Sequence, residues 1–176
     1  SGAWDNTIKL RGLDGKLVRT FAGHSGPVVS VSFSPYGKYF ISGSWDKTIK
    51  LWNMEGRLIK TFKGHSGWVN SVSFSPDGKH IVSGSADETI KLWGIDGKLI
   101  RTFKGHSTFV NSVSFSPDGK HIASGSLDNT IKLWGLDGEL VRTFAGHLGP
   151  VTSVAFSPYG KYIVSGGWDN TIKLWH

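Results

Sequence analysis

The 176-residue chain contains no cysteine, which excludes both a disulfide framework and a thiolate metal site. No apolar run approaches the roughly 18 residues that a membrane-spanning helix requires. The first residues also lack the basic region and apolar stretch of a targeting signal. We therefore expect a soluble protein, cytoplasmic if it is natural.

A clustered basic surface is also absent, although the formal net charge is +7. Most Lys and Arg residues recur at fixed intervals: Lys50, Lys91, Lys132 and Lys173, and Lys60, Arg101 and Arg142. Spacing of this kind indicates basic side chains on solvated strands around the molecule. No basic run with interleaved aromatics marks a nucleic-acid surface, so we expect neither nucleic acid nor membrane as a partner.

Repetition is the strongest feature that is present. Gly-His recurs every 41 residues, at His24, His65, His106 and His147. Residues 64–104 and 105–145 are identical at 32 of 41 positions. Such similarity indicates a recently amplified, consensus-derived or designed sequence. The repeats divide the chain into residues 1–22, 23–63, 64–104, 105–145 and 146–176.

Each repeat contains four runs rich in β-branched and aromatic residues, separated by turn signals, which predicts four antiparallel strands. In residues 23–63 we expect strands at about Val28–Ser34, Tyr39–Gly43, Thr48–Trp52 and Leu58–Phe62. Residues 1–22 supply only a third and a fourth strand, at Thr7–Leu10 and Lys16–Phe21. Residues 146–176 supply the first three strands and no fourth.

The order of Gly-His, Ser-Pro-Asp-Gly, Ser-Gly-Ser and an Asp followed six residues later by Trp resembles the WD40 repeat family along almost the whole chain. The resemblance implies an all-β propeller of four-stranded blades with the first strand innermost. It also implies one hydrogen-bonded tetrad per blade. The matching sets are His24-Ser42-Asp46-Trp52, His65-Ser83-Asp87-Trp93, His106-Ser124-Asp128-Trp134 and His147-Ser165-Asp169-Trp175.

A Ser, a His and an Asp in every blade suggest a hydrolase triad, but the repetition argues for a structural network. Four copies of one constellation around a ring are not four active sites, and Trp stands where an oxyanion hole is needed. The histidines belong to different blades and have no metal-ligand spacing. We expect no catalysis, no metal and no cofactor.

Positions that vary between the repeats indicate a binding surface. The resemblance places the loop before the first strand and the turn between the second and third strands on one face of the propeller, called the top face here, where the family commonly binds peptides. Large apolar residues in these loops are typical of a binding hot spot, although packing against neighbouring blades is an equal alternative. The candidates are Trp45, Trp68, Phe109, Leu127 and Trp168.

The two ends of the sequence predict how a ring closes. Propellers have about four to eight blades, so four blades alone would pack steeply. We expect two chains to form an eight-bladed homodimer by exchanging the N-terminal fourth strand; a strained four-bladed monomer and an open fragment are the alternatives. Residues 1–10 match residues 165–174 at nine of ten positions. We expect the C-terminal copy to occupy the blade, because Arg11 stands where Trp175 does.

Two functions follow from these features. The first is a non-enzymatic scaffold that assembles into a closed propeller and binds a protein or peptide on its top face. The alternative is a designed or consensus structural protein with no evolved ligand.

Overall fold

The computed structural model describes all residues from Ser1 to His176, and the fold is all-β. The first two strands, β1 (Thr7–Arg11) and β2 (Leu17–Ala22), form a hairpin. Three four-stranded sheets follow. Their strands are β3 (Val28–Phe33), β4 (Tyr39–Ser44), β5 (Thr48–Asn53) and β6 (Leu58–Lys63); β7 (Val69–Phe74), β8 (His80–Ser85), β9 (Ile90–Gly94) and β10 (Leu99–Phe103); and β11 (Val110–Phe115), β12 (His121–Ser126), β13 (Thr130–Gly135) and β14 (Leu140–Ala145). The last sheet has three strands, β15 (Val151–Phe156), β16 (Ile163–Gly167) and β17 (Ile172–Trp175).

Every sheet is antiparallel and its strands follow in chain order, as expected for propeller blades. The expected strand limits in residues 1–63 agree with the structure to within one residue at each end. The prediction of an all-β fold of antiparallel four-stranded units is therefore confirmed. The structure contains no helix long and apolar enough to cross a membrane.

The turns between strands have the geometry that their residues favour. In Ser75-Pro76-Asp77-Gly78, the N–H of Gly78 donates to the carbonyl of Ser75 at 2.9 Å, and Gly78 has φ of +70°. A side chain is strained at that φ, which accounts for the glycine. The turn between the second and third strands is an exception, because it holds Lys47 at a positive φ of 69°, which a non-glycine residue seldom adopts.

Neighbouring blades pack face to face, and the first strand of each blade lies mainly against the first and second strands of the blade before it. Between the first two complete blades, Ile41 and Ile49 are buried against Val69, Val72 and Phe74. The interface repeats a hydrogen bond in which the N–H of Val72 donates to Ser30 Oγ at 3.1 Å. Ser71 and Val113 make the same bond, as do Ser112 and Val154.

A glycine in the second strand of each complete blade lets the blades approach. A Cβ at Gly43 would lie 2.9 Å from Cγ1 of Val69, closer than such atoms pack. Gly84 and Gly125 lie against Val110 and Val151 in the same way. No larger residue fits at these positions without moving the next blade.

One expectation about the strand lysines was wrong. Lys50, Lys91 and Lys132 are buried rather than solvated, and each ammonium group donates to a fourth-strand threonine. The distance from Lys50 Nζ to Thr61 Oγ1 is 3.0 Å. The lysine stem covers apolar surface while its head reaches the sheet edge, and a sequence pattern of alternating residues does not reveal this.

The row of blades leaves both its ends uncovered. At the leading end, formed by the β1–β2 hairpin and β3, Phe33 is 54% exposed, whereas the equivalent Phe74 is 7% exposed. At the trailing end, the β15–β17 sheet, Ile172 is 81% exposed, whereas the equivalent Ile49 is fully buried. The single chain is therefore an open arc of blades and not a closed four-bladed ring.

Candidate functional site

A chain of hydrogen bonds joins His24, Ser42, Asp46 and Trp52 in the first complete blade. His24 Nδ1 lies 2.7 Å from Asp46 Oδ2, and His24 Nε2 lies 2.7 Å from Ser42 Oγ. Trp52 Nε1 donates to the same Ser42 Oγ at 2.9 Å. In the tautomer with the proton on Nδ1, which the carboxylate partner favours, the Ser42 hydroxyl donates a hydrogen bond to Nε2.

The same three contacts recur in every other blade, within 0.1 Å of these distances. The structure thus brings together His65, Ser83, Asp87 and Trp93; His106, Ser124, Asp128 and Trp134; and His147, Ser165, Asp169 and Trp175. The trailing blade has the full set although it has only three strands.

The tetrad aspartates also fix the top-face loops. Asp46 Oδ2 accepts from the N–H of Ser25 at 3.0 Å, and Oδ1 accepts from the N–H and hydroxyl of Thr48. Burial raises the pKa of Asp46, but the hydrogen bonds from His24 and Thr48 outweigh it and hold the pKa well below its ordinary value. An ionised carboxylate therefore ties the Gly-His loop to the turn between the second and third strands.

The tetrad of the first complete blade is buried, and its polar side-chain atoms bond one another. Ser42 has no solvent exposure, and its oxygen is engaged by both Trp52 and His24. Both ring nitrogens of His24 are likewise engaged, so the imidazole has no free nitrogen to bind a metal. No group of three or more His, Cys, Asp or Glu residues is placed to hold a metal ion.

Top-face residues are paired within each blade by backbone hydrogen bonds between the two loops. The N–H of Trp45 donates to the carbonyl of Pro27 at 3.0 Å, and that of Leu127 donates to Phe109 at 3.0 Å. Ala86 and Trp168 make the same bond to Trp68 and Pro150. Each blade therefore presents both variable positions side by side at the same end of the strands.

Three tryptophans from different repeats form an aromatic row on the top face. Trp45 and Trp68 stack with ring centroids 4.3 Å apart and planes inclined by 11°. Trp4 contacts Trp45 edge on, with ring centroids 4.9 Å apart, and Trp4 is 74% exposed. Phe109 and Trp168 are exposed but make no ring contact with this row, and Leu127 is partly buried.

Trp4 was not among the residues expected from the sequence. The sequence contains an indication of it, because residues 1–10 match residues 165–174 at nine of ten positions and Trp4 corresponds to Trp168. The duplication indicates a strand, but it does not say against which neighbour its turn will pack.

Comparison with known proteins agrees with this geometry. The family model of the WD domain, G-beta repeat, matches four times, at residues 15–53, 56–94, 97–135 and 138–176. Each match begins in the turn before one fourth strand and ends at the third strand of the next blade. The matches are therefore offset from the sheets by one strand. No curated protein sequence matches the chain significantly. The four matches cover most of the chain, and the protein belongs to the WD40 repeat family.

Proposed function

We propose that the chain is a non-enzymatic scaffold that binds a peptide or protein segment on its top face. The observation that carries this proposal is the aromatic row of Trp4, Trp45 and Trp68, in which Trp4 and Trp68 are exposed and Trp45 is partly buried between the loops. WD40 repeats generally mediate protein interactions. The tetrads, in this proposal, are structural: they fix the loops from which the binding residues project.

The composition of the row supports a binding role. Tryptophan is enriched at interaction hot spots because it buries a large, rigid surface at a small cost in side-chain entropy. Without a ligand, Trp4 and Trp68 leave apolar surface in water. Phe109 and Trp168 extend the candidate surface to the other blades.

The test uses a displayed library of random linear peptides, selected on the immobilised chain. We expect binders rich in apolar residues, whose affinity falls by at least about tenfold in Trp68→Ala, a loss typical of a hot-spot residue. Tyr36→Ala is the matched control, since Tyr36 is an exposed aromatic residue in the turn at the opposite end of the strands. Binders equally sensitive to both variants would contradict a top-face site.

We also propose that two copies of the 176-residue chain assemble into a closed eight-bladed propeller. The uncovered faces at the two ends support this assembly, because each carries apolar residues that are buried between the blades elsewhere. In addition, β17 has no fourth strand beside it, and an unpaired sheet edge favours association. A mass of twice 19.2 kDa by light scattering, maintained on dilution, is the expected result; a stable monomer would exclude the ring.

The near identity of the repeats favours a second candidate, a designed or consensus structural protein with no evolved ligand. A library selection that yields no specific binder, together with a stable two-copy ring, would support that candidate over the peptide scaffold.

A further inference from the structure

We propose that residues 1–11 form an internal cap that occupies the place of residues 165–175 from a second copy. The proposal rests on the two-copy assembly proposed above and adds a step to it, because the cap must leave before the ring closes. The partner that displaces the cap is the trailing end of another chain.

The cap has the backbone pairing of the segment that it duplicates. Gly2 forms a β-bridge with Ile8, just as Gly166 pairs with Ile172 between β16 and β17. Ile8 then pairs with Phe21 of β2, the register that Ile131 has with Phe144 in a complete blade. The cap therefore consists of a third strand and the last residues of a second strand.

Gly2 shows that the cap occupies an interblade position. A Cβ on Gly2 would lie 2.5 Å from the carbonyl oxygen and 2.8 Å from Cγ1 of Val28. Gly43, Gly84 and Gly125 have the same close contact with the valine that begins the next blade. Gly166 has no atom within 4 Å, so the trailing end has the same glycine and lacks the valine.

The cap completes the leading end poorly. Asp5 stands at the tetrad position but has no histidine, and Lys9 pairs with it instead of with the fourth-strand Thr20. Hydrogen bonds from Lys9, and then from Thr7, lower the pKa of Asp5 to about 2. Arg11 replaces the tetrad tryptophan.

A cavity remains beside the cap where a complete blade would have its inner strands. Its volume is about 270 Å³, and its lining combines Ser1, Lys9, Arg11 and Ser32 with apolar side chains from the cap, β2, β3 and β4. The apolar side chains include Ile8, Leu10, Phe21, Val31, Phe33 and Phe40.

The trailing end of a second copy carries the groups that the leading end lacks. It would bring β15 and β16 together with β17. Ser153 of the second copy is equivalent to Ser30, which accepts the hydrogen bond between blades, and Val31 is equivalent to Val72, which donates it. Lys173 would reach Thr20 as Lys132 reaches Thr143. Ile172 would take the buried place of Ile8, so exchange keeps the contacts of the cap and covers both exposed faces.

Exchange would also change the top face. Trp168 occupies in the trailing segment the position that Trp4 occupies in the cap. In the assembled ring, Trp168 of the second copy would therefore contact Trp45 in place of Trp4. The aromatic row would then span the junction between two chains, and the displaced cap would carry Trp4 away.

Two cysteine pairs distinguish the capped and exchanged states, and the chain has no cysteine of its own. Lys9→Cys with Thr20→Cys places thiols on directly paired residues within one chain. Lys173→Cys with Thr20→Cys would place them across two chains. Paired antiparallel residues have Cα atoms about 4.5–5.5 Å apart, within the range for a disulfide. We expect the first pair to trap monomers and the second to trap covalent dimers upon mild oxidation.

A pair of glycine substitutions tests the same exchange without cysteines. Gly166→Val meets open space in the single chain but would clash with Val28 of a second copy, so it should weaken the dimer. Gly2→Val clashes with Val28 only in the capped state, so it should favour the dimer. We expect opposite shifts in the dimer dissociation constant, each at least about tenfold, the equivalent of about 1.4 kcal/mol of overpacking.

The outcomes separate this proposal from the assembly on which it rests. Wild type and every variant remaining monomeric would overturn the two-copy ring, and the cap with it. The cap would be overturned, and the ring left standing, if dimers of the Lys9→Cys, Thr20→Cys variant still form the disulfide within each chain, or if Gly2→Val does not change the dimer dissociation constant. Opposite shifts of the two glycine variants support the cap, with circular dichroism showing that both variants remain folded.

Discussion

Trp45 and Trp68, which belong to successive blades, lie face to face with their ring centroids 4.3 Å apart. Aromatic pairs in contact contribute about 0.5–1.5 kcal/mol beyond the area that they bury. The stack is part of the interface between two blades as well as part of the candidate binding surface. The proposed ligand would therefore bind to a platform that is already ordered, which reduces the entropy lost on binding.

Trp68→Ala should remove the near-ultraviolet circular dichroism signal of the stacked pair and lower the free energy of unfolding by about 1 kcal/mol. Phe109→Ala is the control, because Phe109 occupies the equivalent loop position but has no ring partner. An unchanged dichroism spectrum in Trp68→Ala would show that the two indoles are not stacked in solution.

Ser83→Ala should destabilise the chain by about 1–3 kcal/mol in urea unfolding. The substitution leaves Trp93 Nε1 and His65 Nε2 buried without their partner, and unsatisfied buried groups carry a cost of this size. Ser73→Ala is the control, because Ser73 is only partly buried and its hydroxyl contacts a neighbouring carbonyl at 3.3 Å. Equal effects of the two substitutions would contradict a structural role for the tetrad serine.

Acid should destabilise the protein below about pH 4, the region of the unfolded aspartate pKa. Burial raises the pKa values of Asp87 and Asp128, but the hydrogen bonds from His65 and Thr89, and from His106 and Thr130, together outweigh it, so both pKa values are lowered in the folded state. As the pH falls, the unfolded chain therefore takes up protons at a higher pH than the folded chain does, and the free energy of unfolding decreases below about pH 4. Urea unfolding at pH 7, 4 and 3 measures the loss.

The Asp87→Asn and Asp128→Asn double variant should be less stable at neutral pH but should lose less stability between pH 4 and 3. A pH slope identical to that of the wild type would show that other groups cause the acid sensitivity.

Tyr36→Asp should stabilise the first complete blade by about 0.5–1.5 kcal/mol. At the equivalent position of the next blade, Asp77 accepts from the hydroxyl of Ser75 at 2.6 Å and from the N–H of Lys79 at 3.0 Å. Tyr36 is exposed and cannot accept these bonds from Ser34 and Lys38. A thermal shift measurement compares the variant with Asp77→Tyr, which should shift the midpoint in the opposite direction.

The strands and turns could be predicted from the sequence because each depends on residues close in the chain. The Ser-Pro-Asp-Gly turn and the β-branched run before it suffice to place β7 and β8. The partners of His65 are 18 and 22 residues away, and they were predicted only because the family pattern assigns them.

Contacts between blades could not be predicted in this way. The position of Trp4, for example, depends on Trp45 in the next blade. The open ends likewise depend on how many neighbours a blade has, which no local pattern expresses. Repetition hides this difference, because Ile49 and Ile172 have the same sequence neighbours and opposite exposure.

The bond from Val72 N–H to Ser30 Oγ recurs at every junction between successive blades. A constant junction gives a constant rotation from each blade to the next. The curvature is then set at each junction, and the number of blades in a closed ring does not depend on how many blades one chain supplies. A head-to-tail contact closes only when the total rotation completes a circle, and otherwise propagates as a filament. The gain or loss of a single repeat in such a chain would therefore alter how many molecules share one ring, while leaving every junction chemically unchanged.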